Sequence, residues 1–206
     1  MAPMGVILAG GAARRMGGGD KGRLDLGGRT VLEELMSRLA PQCAEVVLNA
    51  NGDPARFVDM ALAVAPDTIA GLPGPLAGIL AGMEAAVARG MTHILTVPAD
   101  TPFIPHDLAR RLFAGLGDRP VALAATSRGG RISCHPVCGL WCVGLRHDLR
   151  RDILGGAAKV SVWAQTKGAV AVPFEVTGLD PFFNINTPED LEQARDIVRW
   201  GEARIV

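Results

Sequence analysis

The feature that most constrains this chain is a rhythm: from residue 5 to residue 126, short apolar runs alternate with amphipathic segments. "GVILA" (5–9), "AEVVLNA" (44–50), "LAVAPD" (62–67), "THILTVPAD" (92–100) and "VALAAT" (121–126) are too short for buried helices and too continuously apolar for one-sided strands. They read as strands covered on both faces. Between them, "TVLEELMSRLA" (30–40), a short segment at 54–60, "GPLAGILAGMEAAVARG" (74–90) and residues 105–115 read as helices. Thr30 and Glu33 have the spacing of a capping box, Pro75 suits a first helical turn, and Gly90 suits a stop. Strands and helices in strict alternation predict an α/β fold: three layers, with a mostly parallel sheet between two helical faces.

The remainder is less regular. "HPVCGLW" (135–141) and "AVAVPF" (169–174) read as strands, with helices expected at 146–154, 158–166 and 186–200. Thr187 is the expected N-cap of the last helix and Pro188 its first residue. With no internal repeat and no linker, one domain over 1–206 is expected, its last third a mixed extension of the same sheet.

Composition narrows the function classes. The chain of 206 residues is 49% hydrophobic and 20% charged, with a formal net charge of zero, so a basic nucleic-acid-coating or membrane-surface protein is not expected. No apolar run is long enough to span a bilayer, and "MAPMGVILAGG" lacks the basic start of a secretory signal, so a cytoplasmic location is expected. Cys134, Cys138 and Cys142 have a C-x3-C-x3-C spacing that matches no zinc knuckle; with Cys43 they are expected to be small buried residues in a reduced compartment.

In sheets of this kind ligands sit beyond the carboxyl ends of the strands, here residues 8–22, 49–52, 66–78 and 97–102. The first of these segments, "VILAGGAARRMGGGDKG" (6–22), concentrates glycine, Arg14, Arg15 and Lys21. Glycines leave backbone N–H groups open to phosphate oxygens, Arg grips phosphate through two hydrogen bonds, and Lys is a point charge. A Walker A loop is excluded because Asp20 precedes Lys21 and Gly22 follows it. A dinucleotide fingerprint fits poorly, and "LNANGD" (48–53) offers asparagines where a dehydrogenase wants a carboxylate. A glycine-rich surface loop with scattered charge remains the plain alternative.

The string L-A-G-G-x-x-x-R-M-G-x-x-D-K resembles the signature of the NTP-transferase family, and Leu8-Ala9-Gly10-Gly11 is similar to its molybdenum cofactor guanylyltransferase branch. Ala13 departs from the polar residue common in that loop. The resemblance continues through "NAN" (49–51), "PD" (66–67), "GLPGPLAGI" (71–79), "VPADTPFIP" (97–105) and "FFNINTPEDL" (182–191). It implies a Rossmann-like nucleotidyltransferase fold, with 1–126 mainly binding GTP and metal and 127–206 mainly the acceptor. By residue it implies nucleotide contacts at Leu8, Ala9, Gly10, Gly11, Lys21, Asn49, Asp67, Gly78 and Asp100, and catalytic roles for Arg15, Lys21 and Asp100. Asp100 is also the implied Mg²⁺ ligand. Asp67 would meet guanine, whose adjacent N–H donors suit a carboxylate. His135, Asn184 and Asn186 are implied acceptor contacts, although a strand histidine and a helix-entry asparagine are also ordinary structural residues.

The implied reaction moves GMP from GTP to the terminal phosphate of molybdopterin and releases pyrophosphate. Molybdenum-insertion proteins and target molybdoenzymes are the implied partners. A CTP:molybdopterin cytidylyltransferase, a sugar-1-phosphate nucleotidyltransferase and a non-catalytic nucleotide-binding protein are the competing readings.

Overall fold

The computed structural model describes residues 2–9, 21–60, 62–71, 74–176 and 178–201. Gly10, Gly11, Arg14, Arg15 and Asp20 lie outside them. Seven strands form one sheet: β1 (Met4–Leu8), β2 (Glu45–Asn49), β3 (Ala63–Val64), β4 (His93–Pro98), β5 (Val121–Arg128), β6 (Arg131–Cys142) and β7 (Val170–Glu175). Their order is β3-β2-β1-β4-β6-β5-β7. All pairings are parallel except those of β6, which runs antiparallel to β4 and β5. Six α-helices among the described residues cover it: α1 (Val31–Leu39), α2 (Pro75–Val87), α3 (Leu108–Leu116), α4 (Arg146–Leu154), α5 (Val160–Thr166) and α6 (Pro188–Trp200).

Alternation along the strands builds two cores. Ile7, Leu48, Leu95, Ala122 and Ala124 point to one face, where they pack with Leu35 of α1 and Leu112 of α3. Their neighbours Val6, Val47, Ile94, Val121 and Leu123 point to the other, against Ile79 and Met83 of α2, Leu149 of α4 and Trp163 of α5. A smaller cluster docks α6, through Leu191, Ala194 and Ile197, onto Leu26, Val31, Phe103 and Ile185.

The termini of the helices follow their sequence signals. Glu33 N donates to Thr30 Oγ1 at 3.2 Å while Thr30 N donates to Glu33 Oε2 at 2.6 Å, closing the capping box of α1. Thr187 and Asp190 close a second one on α6. Gly90 adopts φ +70° just beyond α2, where the chain reverses. Gly78 and Gly82, one turn apart on α2, let that helix lie directly on β1: a Cβ on Gly82 would sit 2.6 Å from Val6 Cγ2.

Three elements depart from expectation. β3 is only two residues long: Ala65 N still donates to Leu48 O, but Ala65 O is taken by the Asn49 side chain and the next donor toward β2, Asp67 N, bonds to the Asn51 side chain instead of the ladder. α3 begins at Leu108 rather than 105. β6 is longer than its apolar stretch and breaks register with β5 between Gly139 and His135, so Pro136, Val137 and Cys138 form a bulge. The Thr96 hydroxyl, buried under the sheet, donates to Val137 O at 2.7 Å and accepts from Trp141 Nε1 at 2.8 Å, which pins the bulge. The bulge also separates the cysteines. Cys138 is buried, Cys142 and Cys43 are half-buried, and Cys134 is exposed, contrary to the expectation that all four are interior. All four are free thiols.

Candidate active site

The carboxyl ends of β1, β2, β3 and β4 frame a cavity of about 340 Å³. Its wall takes Leu8 at the end of β1 and Ala9 just past it, Asn49 at the end of β2 and Asn51 two residues on, Asp67 from beyond β3, and Pro98 at the end of β4 with Ala99 and Asp100 after it. Ala9 N bonds Asn49 O at 2.9 Å and Ala99 N bonds Leu8 O at 3.1 Å, so the ladder holds these three strand ends in register up to the cavity rim. Lys21, Arg23 and Asn184 close it from other segments, and Leu32, Leu48, Phe57 and Met60 give it an apolar side.

At one end stands Asp100. Lys21 Nζ donates to Asp100 Oδ2 at 2.9 Å and to Asn186 Oδ1 at 2.6 Å. The other carboxylate oxygen, Asp100 Oδ1, is buried with no hydrogen-bond partner among the described residues. A buried anionic oxygen is costly by itself and suits a cation as its partner. The C-terminal segment supports this corner. Ile185 N bonds Asp100 O at 2.9 Å, and Thr101 Oγ1 donates to Asn184 Oδ1 at 3.1 Å. Asn186 N and Thr187 N both donate to Asp190 Oδ2 at 2.9 Å, so the capping box of α6 also fixes the asparagine that holds Lys21.

At the other end stands Asp67. Asn49 Nδ2 donates to Asp67 Oδ1 at 2.9 Å and to Ala65 O at 2.9 Å. Asn51 Nδ2 donates to Asp67 Oδ2 at 2.7 Å, and Asn51 Oδ1 accepts from Asp67 N at 2.9 Å. Gly78 does not line the cavity. It lies beneath Asn49 and Leu8, where a Cβ would overlap Asn49 Oδ1 and come within 2.7 Å of Leu8 Cδ2.

Leu8, Ala9, Lys21, Asn49, Asp67 and Asp100 therefore meet in one cavity, with Asn184 on its wall and Asn186 reaching it through Lys21. His135 is not among the lining residues. Its ring stacks on Phe182 at 4.6 Å, and its Nε2 lies 3.1 Å from Thr126 Oγ1. Burial holds the imidazole pKa below its ordinary value, an effect that nearby Asp180 partly opposes. The expectations at Gly10, Gly11 and Arg15 fall on residues outside those described. Sequence reasoning passed over Asn51 and Arg23. Arg23 pairs with Asp59 at 2.7 Å and donates to Arg56 O. Beside Gly52 at φ +88° and two residues past the end of β2, Asn51 looks like a turn residue; only its closeness to Asn49 in the "NAN" run hints at a shared task.

Residues 5–169 match the model of the MobA-like NTP transferase domain. The chain belongs to that family. It is 47% identical over 193 residues to a molybdenum cofactor guanylyltransferase of Nitrobacter hamburgensis, covering 92% of this chain and 91% of the other. A protein of the same name from Bradyrhizobium sp. is 48% identical, over 92% and 90% of the two chains. Among solved structures, molybdopterin-guanine dinucleotide biosynthesis protein A of Archaeoglobus fulgidus superposes with a TM-score of 0.70 at 22% identity, over 96% of this chain and 99% of that one, a likeness of fold. The described residues include no helix long and apolar enough to cross a membrane.

Proposed function

We propose that this NTP transferase is a molybdenum cofactor guanylyltransferase, moving GMP from GTP to the terminal phosphate of molybdopterin. The observation that carries the reading is a single cavity with an Asp100–Lys21 pair at one end and a doubly held carboxylate, Asp67, at the other. The first suits a triphosphate with its cation. The second suits a base that presents two neighbouring N–H donors, as guanine does and cytosine does not. The names of relatives at 47% and 48% identity supply the acceptor.

In the transfer, an oxygen of the acceptor phosphate attacks the α-phosphorus of GTP, the α–β bridging bond breaks, and the electron pair leaves with pyrophosphate. The attacking oxygen is already anionic, so no general base is needed. The difficulty is one anion approaching another, and it is met by positioning and charge balance. Lys21 supplies a cation held on two sides, and Arg15 and the N–H groups of Gly10 and Gly11 are assigned to the same phosphates by their motif.

The residues present fit Mg²⁺. Asp100 offers one carboxylate oxygen that has no partner among the described residues, and Mg²⁺ is typically held by one or two carboxylates with the substrate's phosphates and water completing its shell. Bound there, the ion supplies neutralisation of phosphate charge.

Residues 1–126 would serve the nucleotide and 127–206 the acceptor, with Asn184 and Asn186 at the join. For His135 an acceptor role has only its motif in support.

The test is to incubate the protein with Mg²⁺, molybdopterin and each nucleoside triphosphate separately, then weigh the products by mass spectrometry. The guanine dinucleotide with GTP alone is expected. A cytidine product or a sugar-nucleotide activity would replace this reading with another of the same reaction class. Tight GTP binding without any transfer would make the chain a nucleotide-binding protein.

A further inference from the structure

Asp67 lies past the end of β3, with no ladder to fix its carboxylate. Side chains do this work instead. Asn49 donates to one oxygen and Asn51 to the other, at 2.9 and 2.7 Å. Asn51 alone also returns a bond to the main chain of Asp67, at 2.9 Å, closing a ring that ties the backbone and carboxylate of Asp67 to one amide. An ionised carboxylate has about four lone-pair positions. With one side-chain donor on each oxygen among the described residues, each has room for another, and Asp67 lines the cavity wall.

We propose that Asn51 is a positioning residue for base selection: it sets the plane of the Asp67 carboxylate so that both oxygens receive the adjacent N1–H and 2-amino donors of guanine. The inference rests on the guanine reading above and adds the residue that makes Asp67 selective. Asn49 cannot do this alone, because its Nδ2 is shared with Ala65 O and reaches only one oxygen. Without Asn51 the carboxylate is free to rotate about the bond to its remaining partner. Rotation spoils a two-point contact far more than a one-point contact, so selectivity should fall together with affinity.

Inosine triphosphate lacks the 2-amino donor and CTP lacks both donors, which makes the three nucleotides a ruler. Dissociation constants for GTP, ITP and CTP are to be measured by calorimetry with Mg²⁺ and without acceptor. The proteins are wild type, Asn51→Ala, Asn51→Asp, Asp67→Ala and the Asn51→Ala/Asp67→Ala double variant. Wild type should prefer GTP to ITP by roughly tenfold or more, the worth of one hydrogen bond to a charged group. Asn51→Ala should weaken GTP about tenfold and bring the GTP-to-ITP ratio close to that of Asp67→Ala. Asn51→Asp keeps the size and the acceptor for Asp67 N but sets a second negative charge against the carboxylate; it should bind GTP more weakly than Asn51→Ala. The double variant should bind GTP no more weakly than Asp67→Ala, because Asn51 acts through Asp67.

A GTP-to-ITP ratio unchanged in Asn51→Ala, with the wild-type preference intact, overturns the positioning role while leaving the guanine reading standing. A double variant weaker than Asp67→Ala by the full Asn51 effect overturns it in favour of a direct nucleotide contact. Wild-type protein that binds CTP as well as GTP overturns the guanine reading, and this inference with it.

Discussion

Lys21 Nζ lies 2.9 Å from Asp100 Oδ2, while Asp100 Oδ1, on the same carboxylate, is buried without a hydrogen-bond partner among the described residues. The pair joins residues 79 positions apart, and the lysine's second bond, to Asn186, joins residues 165 apart. Three distant segments thus meet at a carboxylate whose second oxygen is shielded from water. Keeping an anionic oxygen out of water costs stability, as polar groups retained for function commonly do. Asp100→Asn keeps the shape, turns Oδ2 or its replacement into a neutral partner of Lys21, and removes the anionic oxygen. Transfer from GTP should fall by about a thousandfold or more, the scale of losing several kcal/mol of charge stabilisation. The urea midpoint should hold steady or rise. Turnover at saturating Mg²⁺ and a denaturation curve check both halves; a variant that keeps full turnover removes Asp100 from the chemistry.

Lys21 is held by Asp100 and Asn186 on one side of the cavity, so its ammonium is pre-placed for a triphosphate. A preformed charge-assisted hydrogen bond contributes about 1.5–3 kcal/mol. Lys21→Ala should therefore weaken GTP binding by about tenfold to a hundredfold by calorimetry, with a much smaller effect on guanosine, which carries no phosphates. Equal loss for GTP and guanosine would show that the substitution distorts the whole cavity.

Gly78 and Gly82 offer a matched pair of substitutions on one face of α2. A methyl group at Gly78 overlaps Asn49 Oδ1 and approaches Leu8 Cδ2 to 2.7 Å; at Gly82 it approaches Val6 Cγ2 to 2.6 Å. Both are helical positions where alanine is otherwise welcome, so any destabilisation comes from overpacking, about 1–3 kcal/mol. Gly78→Ala should also displace Asn49 from Asp67 and weaken GTP binding. Gly82→Ala should destabilise comparably and leave GTP affinity near wild type. Urea denaturation and calorimetry on the two variants separate the packing effect from the binding effect.

The legible parts of this molecule are those that depend on local pattern. Capping boxes at Thr30 and Thr187, strand positions and the ligand edge all follow from neighbours within a few residues. Lys21, Asn49, Asp67 and Asp100 were legible as one site because a parallel sheet brings successive strand ends to the same edge. What pattern does not carry is pairing and direction. The apolar run 135–141 reads the same whether its strand runs parallel or antiparallel, and the bulge depends on a hydroxyl on Thr96, 41 residues from the Val137 carbonyl it bonds. Asn51 was illegible for a similar reason: its partner is defined by where β3 gives out, not by anything adjacent to it.

Two histidines make the stability of the fold sensitive to mild acid. Burial lowers the pKa of His93, which packs edge-on to Phe113, and of His135, which stacks on Phe182, below the ordinary 6.5. As pH falls through about 6.5, the unfolded chain takes up these protons before the folded one does. The unfolded state then binds more protons, so stability is fully present above that pH and declines until the lowered folded values are passed. Five carboxylates lie outside this window. Asp25, Glu33, Asp59, Asp148 and Asp152 have lowered pKa values, so their contributions persist at mild acidity and are lost only below their ordinary 3.8 or 4.5. Urea midpoints measured from pH 7.5 to pH 5 should therefore slope downward in the wild type, less so in His135→Gln, and least in a His93→Gln/His135→Gln double variant. A double variant as steep as the wild type would assign the acid sensitivity to other groups.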